Sequence, residues 1–115
     1  MLLIMIDGLR GPLIIRDPNP PYETPDEEIV ISLTDLYHEE APFLVHQYLS
    51  PENAEENAGA EPVPNSALLN EARDVQFRVE PGKTYLIRVI NMGATAAQYL
   101  EIDGHEMTIV EVSAF

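Results

Sequence analysis

The sequence predicts an all-β domain of the sandwich or barrel type with one short helix. Three observations lead there. Alternating apolar and polar residues recur in short runs, most clearly at 27–34 and 75–79, and a period of two is the pattern of a half-buried strand. Turns rich in Pro and Gly separate the runs, as at Pro81-Gly82 and Asp103-Gly104. Only one stretch, 41–49, shifts toward a helical period.

Taken in chain order, residues 9–16 read as a short strand. Residues 17–26 hold four prolines in ten positions, and proline removes donors and fixes φ, so this stretch reads as a rigid connector and a boundary. Glu27 to Thr34 is the next strand, with Ile29, Ile31 and Leu33 on one face. Pro42 suits the first turn of the helix and Pro51 its end. Residues 50–66 are rich in Ser, Pro, Asn, Ala, Glu and Gly and read as a long exposed loop, a class often tied to function. Ala67-Leu68-Leu69 is a strand fragment. Val75, Phe77 and Val79 alternate with polar residues. Thr84 to Ile90 is apolar on both sides, which predicts a strand covered on both faces. Residues 91–95 read as a loop or a single helical turn. Tyr99–Ile102 and Met107–Val112 form a predicted hairpin around Asp103-Gly104.

The chain of 115 residues suffices for one domain. It has no Trp and only 7% aromatic residues, so its core must rest on Val, Ile, Leu and Met. A formal net charge of -14 repels a phosphate backbone and argues against nucleic-acid partners. There is no Cys, which excludes disulfides, thiolate catalysis and iron–sulfur clusters. The apolar run Met1–Ile6 is too short for a membrane span and lacks the basic start of a signal peptide. No Asn-x-Ser/Thr acceptor occurs. Both ends look unfinished, because the first strand has no partner upstream and the last run stops at Ser113-Ala114-Phe115.

Five segments in order carry a family resemblance. Asp7-Gly8-Leu9-Arg10-Gly11-Pro12-Leu13-Ile14-Ile15 resembles the end of the first cupredoxin domain of fungal multicopper oxidases. Asp35-Leu36-Tyr37-His38 resembles the family's Asp-Trp-Tyr-His stretch, with Leu36 replacing Trp. Gly59-Ala60-Glu61-Pro62-Val63-Pro64 resembles a segment of the iron-oxidising branch. Tyr85–Asn91 and Gly104–Glu111 complete the match. The resemblance implies an incomplete cupredoxin-like (plastocyanin-like) Greek-key sandwich. Residues 1–17 would end the first domain, 18–26 would be a proline-rich linker, and 27–115 would be the second domain. It also implies copper as the cofactor of full-length relatives, the remaining cupredoxin domains as partners, and work outside the cell or at its surface.

Copper ligands do not follow for this chain. A blue copper site requires a Cys thiolate, and a cluster that reduces dioxygen needs paired His-x-His segments. Only His38, His46 and His105 are present, and none is so paired. Glu61 is the residue that the resemblance marks as a ligand for ferrous iron. A hard carboxylate suits iron and favours the ferric product. His38 is expected to pair with a carboxylate at the strand-to-helix corner. His46 is expected to serve helix packing or capping. His105 is expected to hold the hairpin, since Ile109 stands where a zinc-protease motif needs its second His. Arg88 and Arg10 are each expected to meet a carboxylate. The function implied is a segment of a copper-dependent ferroxidase that is inactive alone. The alternatives are a segment of a laccase-like phenol or pigment oxidase and a copperless cupredoxin-like binding module.

Overall fold

The computed structural model describes residues 5–112. The run Met1–Ile6 therefore falls mostly outside the described residues, as does Ser113–Phe115. In chain order the elements are β1 (Glu27–Leu36), α1 (Ala41–Tyr48), α2 (Pro51–Glu56), β2 (Ser66–Leu69) and β3 (Tyr85–Asn91).

The three strands form one sheet in the order β2-β1-β3. β1 is rich in β-branched residues and takes the centre, as such residues fit a pleated surface with neighbours. Its first part pairs parallel with β3, from Glu27 opposite Tyr85 to Leu33 opposite Asn91. Its last part pairs antiparallel with β2, from Leu33 opposite Leu69 to Leu36 opposite Ser66. Leu33 is thus the point where both neighbours meet the central strand. The parallel pairing requires a crossover, and the chain between β1 and β3 carries both helices and β2. Among the described residues there is no second sheet, so the predicted sandwich is realised as a single mixed sheet with helices.

Burial concentrates at the end of β1. Ile31, Ser32, Leu33, Thr34 and Asp35 are all buried, joined by Ala41 and Leu44 of α1 and by Met92. Both faces of β1 are covered there. β3 is only half-buried and Val89 remains open, so the predicted double covering of 84–90 is not found. Its far edge has no ladder partner among the described residues.

One helix was expected, and among the described residues α1 forms there and α2 follows it. Pro51 ends α1 and also starts α2, because Ser50 caps the second helix by accepting the Asn53 N–H at 3.1 Å. Ser, Pro and Glu at successive positions are the start signal of a helix, and they place α2 inside the predicted loop 50–66. α1 gets its cap from far away in sequence. Glu40 at its N-cap position offers no side-chain bond, and Asp7 Oδ1 accepts the Ala41 N–H at 2.8 Å.

Residues 9–16, 75–79, 99–102 and 107–112 do not form strands. Each reads as a strand in sequence, but ladder bonds require a second backbone within reach. The Asp103-Gly104 turn does form, with Gly104 at φ 71° and the His105 N–H donating to Ile102 O at 3.1 Å, yet no ladder flanks it. The 9–16 segment is held by charge instead. Arg10 reaches both carboxylate oxygens of Glu71 at 3.2 Å, and Arg16 reaches Glu28 at 3.0 Å.

A turn at Asn70-Glu71 closes β2, with both residues in the left-handed region at φ 49° and 60°. The Asn70 side chain then mimics one more residue of strand. Its Oδ1 accepts the Ser32 N–H at 2.7 Å and its Nδ2 donates to Val30 O at 3.1 Å. This seals part of the β1 edge that β2 is too short to cover.

The chain is open for its size. A compact chain of this length has a radius of gyration of about 13 Å, against the observed 17.7 Å. Its accessible surface is 9353 Å², where about 6,300 Å² is usual for this mass.

Candidate functional site

Glu61 stands on a strap, residues 60–65, that runs beside the end of β1. Alternate prolines shape it. Glu61 and Val63 each precede a proline, which excludes the helical region for them, and Pro62 and Pro64 have fixed φ. The strap is therefore extended by covalent structure before any contact is made.

Hydrogen bonds fix it to the domain. The Asn53 side chain donates from Nδ2 to Ala60 O at 3.1 Å and to Tyr48 O at 2.9 Å. The Tyr37 hydroxyl donates to Pro62 O at 3.3 Å. The Asn65 N–H donates to Leu36 O at 2.8 Å. Asn65 Oδ1 in turn accepts the His38 N–H at 2.8 Å. A tight turn with Ala58 at φ 53° and Gly59 at φ 71° delivers the chain from α2 into the strap.

Behind the strap lies the buried Asp35 carboxylate, which is 1% exposed. It accepts N–H groups from Ala94 at 2.9 Å, Thr95 at 3.2 Å and Ala96 at 3.5 Å. Successive N–H groups aimed at one anion form a nest, here satisfied from within the chain. Gly93 leads into it. A Cβ there would lie 3.1 Å from Asn91 Oδ1 and 3.5 Å from Asp35 Oδ2, so the backbone approaches closely where a side chain has little room. Thr95 then meets Tyr37, with 2.8 Å between their hydroxyl oxygens. Burial pushes the Tyr37 phenol above its ordinary 10.0, the Thr95 bond opposes this, and the charges of Asp35 and Glu61 add to the rise.

Glu61 itself is exposed. It lines a cleft of about 330 Å³ with Leu44, Tyr48, Asn53 and Val63. Among the described residues no Lys, Arg or His forms an ion pair with it.

The other marked residues lie apart from this strap or contribute only backbone to it. His38 is exposed at the corner between β1 and α1, and its ring forms no ion pair with a carboxylate among the described residues. His46 is exposed in the last turn of α1. His105 is exposed, with Nδ1 2.9 Å from Asp103 O. Arg88 Nε lies 3.3 Å from Glu28 on the opposite stretch of the sheet. Arg10 lies against Glu71, as described above.

The residues present do not fit a copper site. The sequence has no thiolate, the three histidines sit on separate elements, and among the described residues no three His, Asp or Glu side chains converge. Among the described residues, no helix is long and apolar enough to cross a membrane.

Sequence reasoning passed over the residues that hold the strap. Tyr37 and Asp35 fall within the Asp35–His38 motif, which by itself gives neither of them a role. Asn53 lay in a stretch read as loop. The Ser50-Pro51-Glu52 helix start was the signal that could have located Asn53.

Comparison with known proteins agrees with a cupredoxin-like fold. The family profile for multicopper oxidases matches residues 27–115. The chain is 54% identical over 107 residues to the iron transport multicopper oxidase fetC of Epichloe festucae, and 51% identical over 107 residues to FET3 of Gibberella zeae. Each alignment covers 92% of this chain and 17% of the relative. A crystal structure of Fet3p, a multicopper oxidase that functions in iron import, superposes with a TM-score of 0.60 at 35% identity. It covers 70% of this chain and 14% of that one. The fold is accordingly a small cupredoxin-like sheet domain with helical content. The chain spans about one sixth of the length of these relatives, and it belongs to the multicopper oxidase family.

Proposed function

We propose that this chain is the second-domain segment of a fungal iron-oxidising multicopper oxidase, and that Glu61 supplies one carboxylate to the site that holds ferrous iron. The observation that carries this reading is the placement of Glu61. It is exposed, lines a cleft on a proline-locked strap and forms no ion pair among the described residues, in a chain similar to iron transport oxidases.

The chemistry suits the residue. A carboxylate is a hard donor and binds ferric iron more tightly than ferrous iron, so it eases loss of one electron from Fe(II). That electron would pass to an acceptor outside this chain, and copper held by other domains would supply the chemistry by which four such electrons and four protons convert one dioxygen to two waters. One carboxylate is too few for a useful iron site, so further acids come from those domains. The excess surface fits that arrangement. Roughly 3,000 Å² more than a compact chain exposes is on the scale of a large permanent interface. On this reading residues 1–17 end the first domain, 18–26 form the linker and 27–115 belong to the second. The site faces the outside of the cell, as the family resemblance implies.

The test is kinetic, in the intact copper-loaded oxidase that contains this chain. Glu61→Ala should lower kcat/KM for Fe(II) by about tenfold or more, which is about 1.4 kcal/mol. Turnover of an organic one-electron reductant should stay unchanged. Equal loss on both substrates, or none on iron, would overturn the assignment.

A further inference from the structure

We propose that Tyr37 is a positioning residue which, together with Asn53, clamps the backbone on either side of Glu61 and so sets where its carboxylate sits. The consequence for iron rests on the reading of Glu61 given above.

The strap has few soft torsions. Both residues that precede proline are confined to extended conformations, and both prolines have fixed φ. Fixing two points on such a segment therefore fixes what lies between them. The two clamps fall on the carbonyls that bracket Glu61: Ala60 O receives Asn53 Nδ2 at 3.1 Å, and Pro62 O receives the Tyr37 hydroxyl at 3.3 Å. Proline offers no N–H, so a carbonyl is the handle available at Pro62.

Each clamp is anchored in turn. Asn53 sits in α2 and binds Tyr48 O at the end of α1 through the same amide nitrogen. Tyr37 is tied to the most buried part of the sheet. With its own proton directed at Pro62 O, its oxygen accepts from the Thr95 hydroxyl at 2.8 Å. Thr95 is held by its N–H to Asp35 at 3.2 Å. The line runs from a carboxylate in the core, through two hydroxyls, to the carbonyl next to Glu61.

Tyr37→Phe removes the clamp and keeps the ring. In the intact copper-loaded oxidase it should raise KM for Fe(II) and lower kcat/KM about fivefold, the size of one lost hydrogen bond of about 1 kcal/mol. Organic-reductant turnover should be unchanged, which also shows that the fold and copper sites are intact. Deuterium uptake in peptides over 60–66 should quicken about fivefold. Combined with Glu61→Ala, the change should cost no further iron activity, because a positioning residue acts through the group it positions. Additive losses in the double variant, or unchanged uptake at 60–66, would overturn the proposal. If Glu61→Ala leaves iron oxidation untouched, the iron reading fails by itself. Uptake at 60–66 then still decides the clamp, faster exchange supporting it and unchanged exchange refuting it.

Discussion

Ile31 and Ile109 stand in similar surroundings in the sequence and in opposite ones in the fold. Each belongs to a short run of alternating β-branched and polar residues. Ile31 is 5% exposed and Ile109 is 80% exposed. The difference lies in the backbone beside them. Ile31 sits opposite Val89 in a ladder, with β2 and Asn70 closing the other edge of its strand. Among the described residues, 107–112 has no ladder at all. Strand formation is a property of pairs, and a run of suitable residues is only half of one.

The contrast is most exposed to test at its charged centre. Asp35→Ala would leave the Ala94, Thr95 and Ala96 N–H groups facing an empty buried site. The expected loss is about 3–5 kcal/mol, read as a lower urea midpoint at unchanged slope. Asp35→Asn, which keeps an acceptor, should lose less.

Next in size is the comparison of the isoleucines themselves. Ile31→Ala should cost about 2–5 kcal/mol through lost burial and a cavity. Ile109→Ala should stay within about 0.5 kcal/mol. Equal costs would mean that the 107–112 run is packed in solution.

A smaller effect comes from the opposite stretch of the sheet, at Glu28. Burial alone would raise its pKa, but contacts with Arg88 and Arg16 outweigh burial and hold it below its ordinary 4.5. A carboxylate depressed in the folded state stabilises the fold fully above its unfolded value. That contribution is lost as pH falls through the lower folded value. Acid titration of stability should therefore lose a small component below about pH 4.5, and Glu28→Gln should remove it. An acid limb unchanged by Glu28→Gln would show that the pair contributes nothing.

The smallest effect is expected at Thr34. Its side chain is fully buried, and its hydroxyl has no hydrogen-bond partner among the described residues. Thr34→Val keeps the shape and removes an unpaired polar atom. Stability should hold or rise by about 1 kcal/mol. A clear loss in thermal melting would reveal a partner for that hydroxyl.

These contrasts also show what the sequence makes legible. The alternation in β1 and β3 and the period shift at α1 were readable because those elements find partners within the chain. The same signal at 75–79 and 107–112 pointed to strands that do not form, since periodicity records which face suits a core and says nothing of whether a neighbour is present. The second helix was written in Ser50-Pro51-Glu52 but lay inside a stretch whose composition looked like loop. For the site, Glu61 came from resemblance alone, as a lone loop glutamate carries no local signal. Its support could not be seen at all. Tyr37 and Pro62 are 25 positions apart and Tyr37 and Thr95 are 58 apart, and only the fold brings them together.

The most direct measurement of the contrast is amide hydrogen exchange across the whole chain. Slow exchange is expected at Met92, Ala94 and Asn65, whose N–H groups bond to Leu33, Asp35 and Leu36, together with exchange near the intrinsic rate over 107–112. Equal protection in both regions would contradict the claim that pairing at β1, rather than strand-like sequence, decides where this chain is built and where Glu61 is held.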